Sequence, residues 1–128
     1  MLRNVIALNI AAWNCNTKLK LYVFEGNSDI STLKGRGRDY VYIDAKPLDD
    51  LLREIEKVDW IKIDVEGAEF ETLKGLEDTL RKKSPRLIVE VFEQNREKCK
   101  YMKAMGYEPK TIFSGPNRSY YFLKSGRG

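Results

Sequence analysis

Histidine is missing altogether, and with it the commonest general base and a preferred zinc ligand. Any acid–base chemistry must therefore use carboxylate, Lys, Tyr or Cys. Only two cysteines occur, Cys15 and Cys99, far apart and without CxxC spacing. They are expected to be inert core or surface thiols, and no metal site is expected. No apolar run approaches the roughly 18 residues that span a bilayer. The start, Met1-Leu2-Arg3-Asn4, does not have the layout of a secretion signal, because Asn9 and Asn14 interrupt the apolar run that follows. The expectation is a cytoplasmic protein with no membrane partner. One-sided charge is also lacking: the net charge of +4 permits contact with phosphates but does not demand nucleic acid.

What is present describes a folded α/β protein. The 128 residues, 42% apolar and 33% charged, fit a single domain over 1–128 with a real core. The most informative stretch is Trp60-Ile61-Lys62-Ile63-Asp64-Val65-Glu66-Gly67-Ala68-Glu69-Phe70, a strand that turns into a helix. Alternation places Ile61, Ile63 and Val65 on one face and Lys62, Asp64 and Glu66 on the other. Three ionisable groups along a buried strand are costly unless paired or solvated. The carboxylates also fall at the strand's C-terminal end, where open α/β sheets hold their ligands.

Along the chain, Asn4 to Ala12 is an apolar run of strand length, and Lys18 to Phe24 alternates as a half-exposed strand. Glu25 to Asp39, rich in glycine, serine and charge, predicts a mobile loop. Tyr40 to Ile43 reads as a short strand. Pro47 opens a helix with Leu48, Leu51, Leu52 and Ile55 as its apolar stripe. A helix is predicted from about Ala68 to Lys83, acidic at its start and basic at its end, with Gly75 marking close backbone packing. Leu87 to Phe92 is a buried strand whose Glu90 shares a face with Ile88 and Phe92. A helix over Asn95 to Met105 ends at Gly106 as C-cap. Lys110 to Phe113 and Ser119 to Leu123 form a hairpin about a Ser114–Asn117 turn. The tail from Ser125 is expected to fray. The order predicts a mostly parallel α/β sheet with a reversed strand near its C-terminal edge.

These residues resemble a family. Asn4 to Asn14, Leu19 to Phe24, Pro47-Leu48-Asp49-Asp50-Leu51, Ile61-Lys62-Ile63-Asp64-Val65-Glu66-Gly67-Ala68-Glu69, Leu73-Lys74-Gly75 and Pro85 to Glu90 are similar to FkbM-type S-adenosylmethionine-dependent methyltransferases. The resemblance spans about Asn4 to Leu123 and implies a Rossmann-like class I methyltransferase fold. It further implies that two earlier strands, one with the glycine-rich turn for the cofactor, are not in this chain, which resembles the C-terminal half of such an enzyme. Lys34-Gly35-Arg36-Gly37-Arg38 does not supply that turn. By resemblance, Asn9 and Ala11 lie on the cofactor's adenine side, and Asp64 and Glu66 face cofactor and acceptor as catalytic groups. Glu69 opens the next helix and Glu90 ends the fifth strand, and with Lys62 they are substrate-side or structural. The implied reaction is methyl transfer from S-adenosylmethionine to an oxygen of a small molecule or glycan, with weak or absent cofactor binding by this chain alone.

Blander readings stand beside these. Lys62 and Asp64 could form a structural ion pair with Glu90, and Glu69 could be a plain helix N-terminal acid. Gly35 to Arg38 reads as a solvated loop. Tyr120, Tyr121, Phe122, Trp13 and Trp60 read as core or interface packing. The rival function is a non-enzymatic α/β scaffold that self-associates or completes a partner. Under either function, strands near Val5 and Ile61 that lack their usual neighbours favour a homodimer through exposed sheet edges. Nucleic-acid binding ranks last.

Overall fold

The computed structural model describes residues 3–23, 31–32, 39–91, 96–114 and 119–125. In chain order its elements are β1 (Ala11–Ala12), β2 (Thr17–Val23), β3 (Ser31–Thr32), β4 (Tyr40–Lys46), α1 (Leu48–Leu52) and β5 (Trp60–Ile63). There follow α2 (Glu69–Lys74), α3 (Glu77–Lys83), β6 (Arg86–Val91), α4 (Arg96–Ala104), β7 (Tyr107–Ser114) and β8 (Ser119–Ser125).

The strands form two mixed sheets, ordered β1-β4-β2-β3 and β5-β6-β8-β7. Among the described residues only β1–β4 and β5–β6 are parallel pairs; β2–β3, β2–β4, β6–β8 and β7–β8 are antiparallel. The expectation of one mostly parallel sheet gives way here. The reversed C-terminal strand is present, as β8, inserted between β6 and β7. The β2–β4 ribbon is antiparallel for a reason visible in its sequence. Both strands alternate with one wet face, the pattern of antiparallel rather than doubly covered strands. On that wet face Lys20 lies over the Tyr40 ring, which packs edge-on to Tyr42.

The predicted first strand shrinks to β1. Residues 4–10 run unpaired, with Val5, Ile6 and Leu8 exposed, because no neighbouring strand lies along them among the described residues. The single helix expected over Ala68 to Lys83 divides at Gly75 and Leu76 into α2 and α3. Helix α1 stops before Ile55, which is 47% exposed instead of packing as the last residue of the apolar stripe. Lys83 at the end of α3 reaches the carbonyls of Leu52, Arg53 and Ile55, satisfying acceptors that the short α1 leaves open. Gly106, at φ 85°, caps α4 as expected. Ser125, the last residue of β8, pairs with Tyr107 of β7. Most of the expected 25–39 loop, the Gly35–Arg38 cluster, Phe24, Phe92, residues 115–118 of the hairpin turn and residues 126–128 lie outside the described residues, as do the side chains of Tyr120, Tyr121 and Phe122.

The core sits under the second sheet. Ile63, Leu87 and Val89 from the strands meet Leu73, Leu76 and Leu80 from α2 and α3, and Met102 and Met105 from the α4 end. Tyr107 is buried among them, and its hydroxyl donates to the Pro85 carbonyl at 2.8 Å. Burial pushes that hydroxyl's pKa up to about 12. An unfolded tyrosine ionises near 10, so between about 10 and 12 the unfolded chain has lost a proton that the folded one keeps. This stability is fully present below pH 10 and is lost as pH rises toward 12. Alkaline denaturation of Tyr107→Phe should therefore show a shallower loss over that window than wild type. At neutral pH the variant should be about 1–2 kcal/mol weaker, for the orphaned Pro85 carbonyl. Equal slopes for the two proteins would remove Tyr107 from the account. Among the described residues, no helix is long and apolar enough to cross a membrane.

Candidate functional site

The site is built where β5 ends. In the parallel ladder Lys62 stands beside Ile88 and Ile63 beside Val89, so one step further Asp64 and Glu90 fall at the same height. Parallel strands joined by a helical crossover carry their C-terminal ends to the same side of the sheet. After Ile63 the backbone leaves the ladder and enters two left-handed residues, Glu66 at φ 48° and Gly67 at φ 102°. Glycine takes that conformation freely, whereas a glutamate must be held in it. The tight turn folds Glu66 back, and carboxylate oxygens of Asp64, Glu66 and Glu90 lie within 4.8 Å of one another. Glu90 is buried at 5% exposure, Glu66 is half-buried, and Asp64 opens to solvent.

Lys62 is exposed and pairs with Asp64 at 3.4 Å. The expected cost of ionisable groups on this strand is thus met by solvent and by a neighbour. The blander reading expected Glu90 beside this ion pair, and it is there, together with Glu66: the three carboxylates converge at the strand ends, with Lys62 paired to Asp64.

Among the described residues Glu69 is the most enclosed acid, at 1% exposure. One of its oxygens accepts the Gly67 backbone N–H at 2.7 Å, and the other accepts from Lys98 of α4 at 3.2 Å. It therefore braces the turn from the start of α2, which goes beyond the role of a plain helix-opening acid. Helix α4 is docked a second time where the Tyr101 hydroxyl donates to Glu77 at 2.8 Å, its ring edge-on to Phe70. This bond, with Arg81 beside it, lowers the Glu77 pKa. Burial first, and then Glu77, raise that of Tyr101.

The sequence-predicted residues separate into two groups. Asp64, Glu66 and Glu90 come together, with Lys62 and Glu69 next to them. Asn9 and Ala11 do not join them: Asn9 is exposed in the unpaired segment, and Ala11 stands beside Ala45 in the first sheet. Trp60 is half exposed, with the Arg86 guanidinium over its ring, while the Trp13 backbone lies against Gly75. Cys15 and Cys99 are free thiols, exposed and half-buried. Sequence reasoning missed Lys98. It is one of three lysines on α4, and nothing in their spacing distinguishes it.

Chemically, three convergent carboxylates can accept the protons of a hydroxyl or an ammonium group and attract a cationic centre. Their spacing also provides three oxygen ligands for a hard divalent cation, chemistry that a search framed on histidine and cysteine does not reach.

Comparison with known proteins follows this geometry. Residues 5–109 match the family described as Methyltransferase FkbM domain. No curated protein matches the chain. The crystal structure of Methyltransferase FkbM from Methylobacillus flagellatus KT superposes with a TM-score of 0.55 at 18% identity, over 88% of this chain and 27% of that one. At that identity the likeness is one of fold, and this chain spans little more than a quarter of the other's length. The family match runs from the unpaired segment before β1 into β7 and takes in all three carboxylates; the chain belongs to the FkbM methyltransferase domain family.

Proposed function

We propose that this chain is the acceptor-side part of an S-adenosylmethionine-dependent O-methyltransferase of Rossmann-like class I type, acting on a hydroxyl of a small molecule or glycan. The observation that carries the reading is the meeting of Asp64, Glu66 and Glu90 at the ends of two parallel strands, inside the family match. The donor set fits the cofactor by charge, since three carboxylates favour a sulfonium and an ammonium group. S-adenosylmethionine supplies a methyl group on a positively charged sulfur. The chain's own residues do the rest. Asp64, the most open of the three, accepts the hydrogen bond of the acceptor hydroxyl and takes its proton. Glu66 fixes the direction of that hydroxyl, and buried Glu90 holds negative charge behind both.

Asn9, on the adenine side by resemblance, stands exposed in the segment before β1. The close backbone approach at Gly75 is filled by the Trp13 carbonyl. Cofactor binding by this chain alone is accordingly weak in this proposal. The exposed Val5, Ile6 and Leu8 and the outer edge of β5 are where a second copy or another segment would pair.

Calorimetric titration with S-adenosylhomocysteine tests the cofactor half. Saturation at micromolar ligand supports a rebuilt pocket, and no heat at millimolar ligand, with the chain folded, rejects binding by the chain as it stands. The chemical half is tested by Asp64→Asn. Its ion pair with Lys62 is solvent-exposed, so stability should change by less than about 1 kcal/mol. Transfer of labelled methyl to simple methyl glycosides should fall about 100-fold or more. A stability loss of several kcal/mol with unaltered transfer would make Asp64 structural.

A further inference from the structure

We propose that Lys98 and Glu69 form a positioning pair for the carboxylate trio, so that docking of α4 sets the geometry of the site. The inference rests on the reading of Asp64, Glu66 and Glu90 as the acceptor site, but it can fail separately. Its basis is a continuous chain of contacts. Lys98 Nζ lies 3.2 Å from Glu69 Oε2, with the lysine side chain 24% and the glutamate side chain 2% exposed. The carboxylate so held turns its Oε1 to the Gly67 N–H at 2.7 Å. Gly67 is the second residue of the left-handed pair whose first is Glu66, at φ 48°. A non-glycine residue keeps that conformation only when its surroundings impose it. One contact that holds the turn is the buried Glu69 carboxylate, and a carboxylate in a dry site is costly without a paired cation. Lys98, 29 residues further along the chain, is that cation.

Remove Lys98 and Glu69 loses one of the two contacts that orient it. The turn relaxes toward ordinary backbone, and Glu66 swings away from Asp64 and Glu90. The positioning residues touch no acceptor; they act through the turn. A role in electrostatics alone would have the opposite sign, since deleting a nearby positive charge strengthens any cation's attraction to the trio.

Terbium(III) luminescence separates these cases, with the ion used as a probe of carboxylate convergence. The purified wild-type chain should show one saturable site that Asp64→Asn removes. Lys98→Gln should weaken it about 10-fold or more, the range typical of losing a residue that orients ligands, while Lys98→Arg should stay within about threefold of wild type. Unchanged or tighter terbium binding by folded Lys98→Gln overturns the proposal, as does a wild-type chain with no Asp64-dependent site. The amide of Gly67 gives a reading that needs no variant. In the wild-type proton–nitrogen NMR spectrum it should be shifted downfield and protected from exchange, and a coil-like amide there overturns the proposal too. S-adenosylhomocysteine titration judges the cofactor reading and leaves this result untouched.

Discussion

Replacing Gly75 with alanine is expected to destabilise the protein by about 3 kcal/mol or more, although the same change in most helices gains about 0.5–1 kcal/mol. Gly75 is not in a left-handed conformation; its φ of −73° suits any residue. The obstacle is space. A Cβ there would run into the Trp13 carbonyl oxygen and stand 3.1 Å from the Pro47 Cα, both backbone atoms that no rotamer change can move. The same point gathers bonds that tie the end of β1 to β4, and β1 and α1 to α2. Trp13 N–H donates to the Lys46 carbonyl, Asp49 N–H donates to the Gly75 carbonyl at 2.8 Å, and the Thr72 hydroxyl donates to the Ala12 carbonyl at 3.3 Å. Alanine must push the β1 end and the start of α1 away from α2, and the Asp49–Gly75 and Thr72–Ala12 bonds lengthen together. Urea unfolding followed by circular dichroism would report the cost as a lower midpoint. A midpoint equal to or above that of wild type would mean that β1 and α1 do not meet α2 at Gly75.

Much of this was legible in the sequence because it depended on local pattern. The alternating Thr17–Val23 ribbon, the C-cap at Gly106 and the start of α2 after the Glu66–Gly67 turn follow from periodicity and turn chemistry. Gly75 was legible as a close approach, yet what approached it, the Trp13 carbonyl from far earlier in the chain, was not. The meeting of Asp64 and Glu90 follows from two strands whose lengths and parallel register place matching positions side by side, so the trio was readable in outline. Lys98 was not, since any of three lysines on one short helix could have faced Glu69 and only tertiary packing chose among them. Residues 4–10 misled for the opposite reason. Their apolar pattern is that of a strand covered on both faces, but a strand also needs neighbours, and pattern does not supply them. The two-sheet arrangement failed similarly, since alternation identifies strands without saying which pair.

Asp49 makes the same point about a residue that looks functional, and its removal should be the second large effect. It lies in the Pro47–Leu51 stretch that resembles the family, where the sequence alone presents it as an acid in the first turn of its own helix. In the structure its carboxylate leaves α1 and crosses to the start of α3. There Oδ2 accepts from the Asp78 backbone N–H at 2.9 Å, and Oδ1 accepts from the Thr79 N–H at 2.8 Å and the Thr79 hydroxyl at 2.7 Å. Helix α3 has no side-chain cap of its own, because Leu76 occupies that position. Asp49 thus caps it from another element and brings a negative charge to the positive end of its dipole. Asp49→Ala leaves two backbone donors and a buried threonine hydroxyl without this acceptor, a loss of about 2–3 kcal/mol. Asp49→Asn keeps one acceptor oxygen but not the charge, and should recover about half of that. Thermal unfolding of the three proteins would show the order wild type, Asp49→Asn, Asp49→Ala. Terbium affinity at a temperature where all are folded should be the same, since the cap touches neither the turn nor the trio. A drop in that affinity with stability unchanged would move Asp49 from the scaffold into the site.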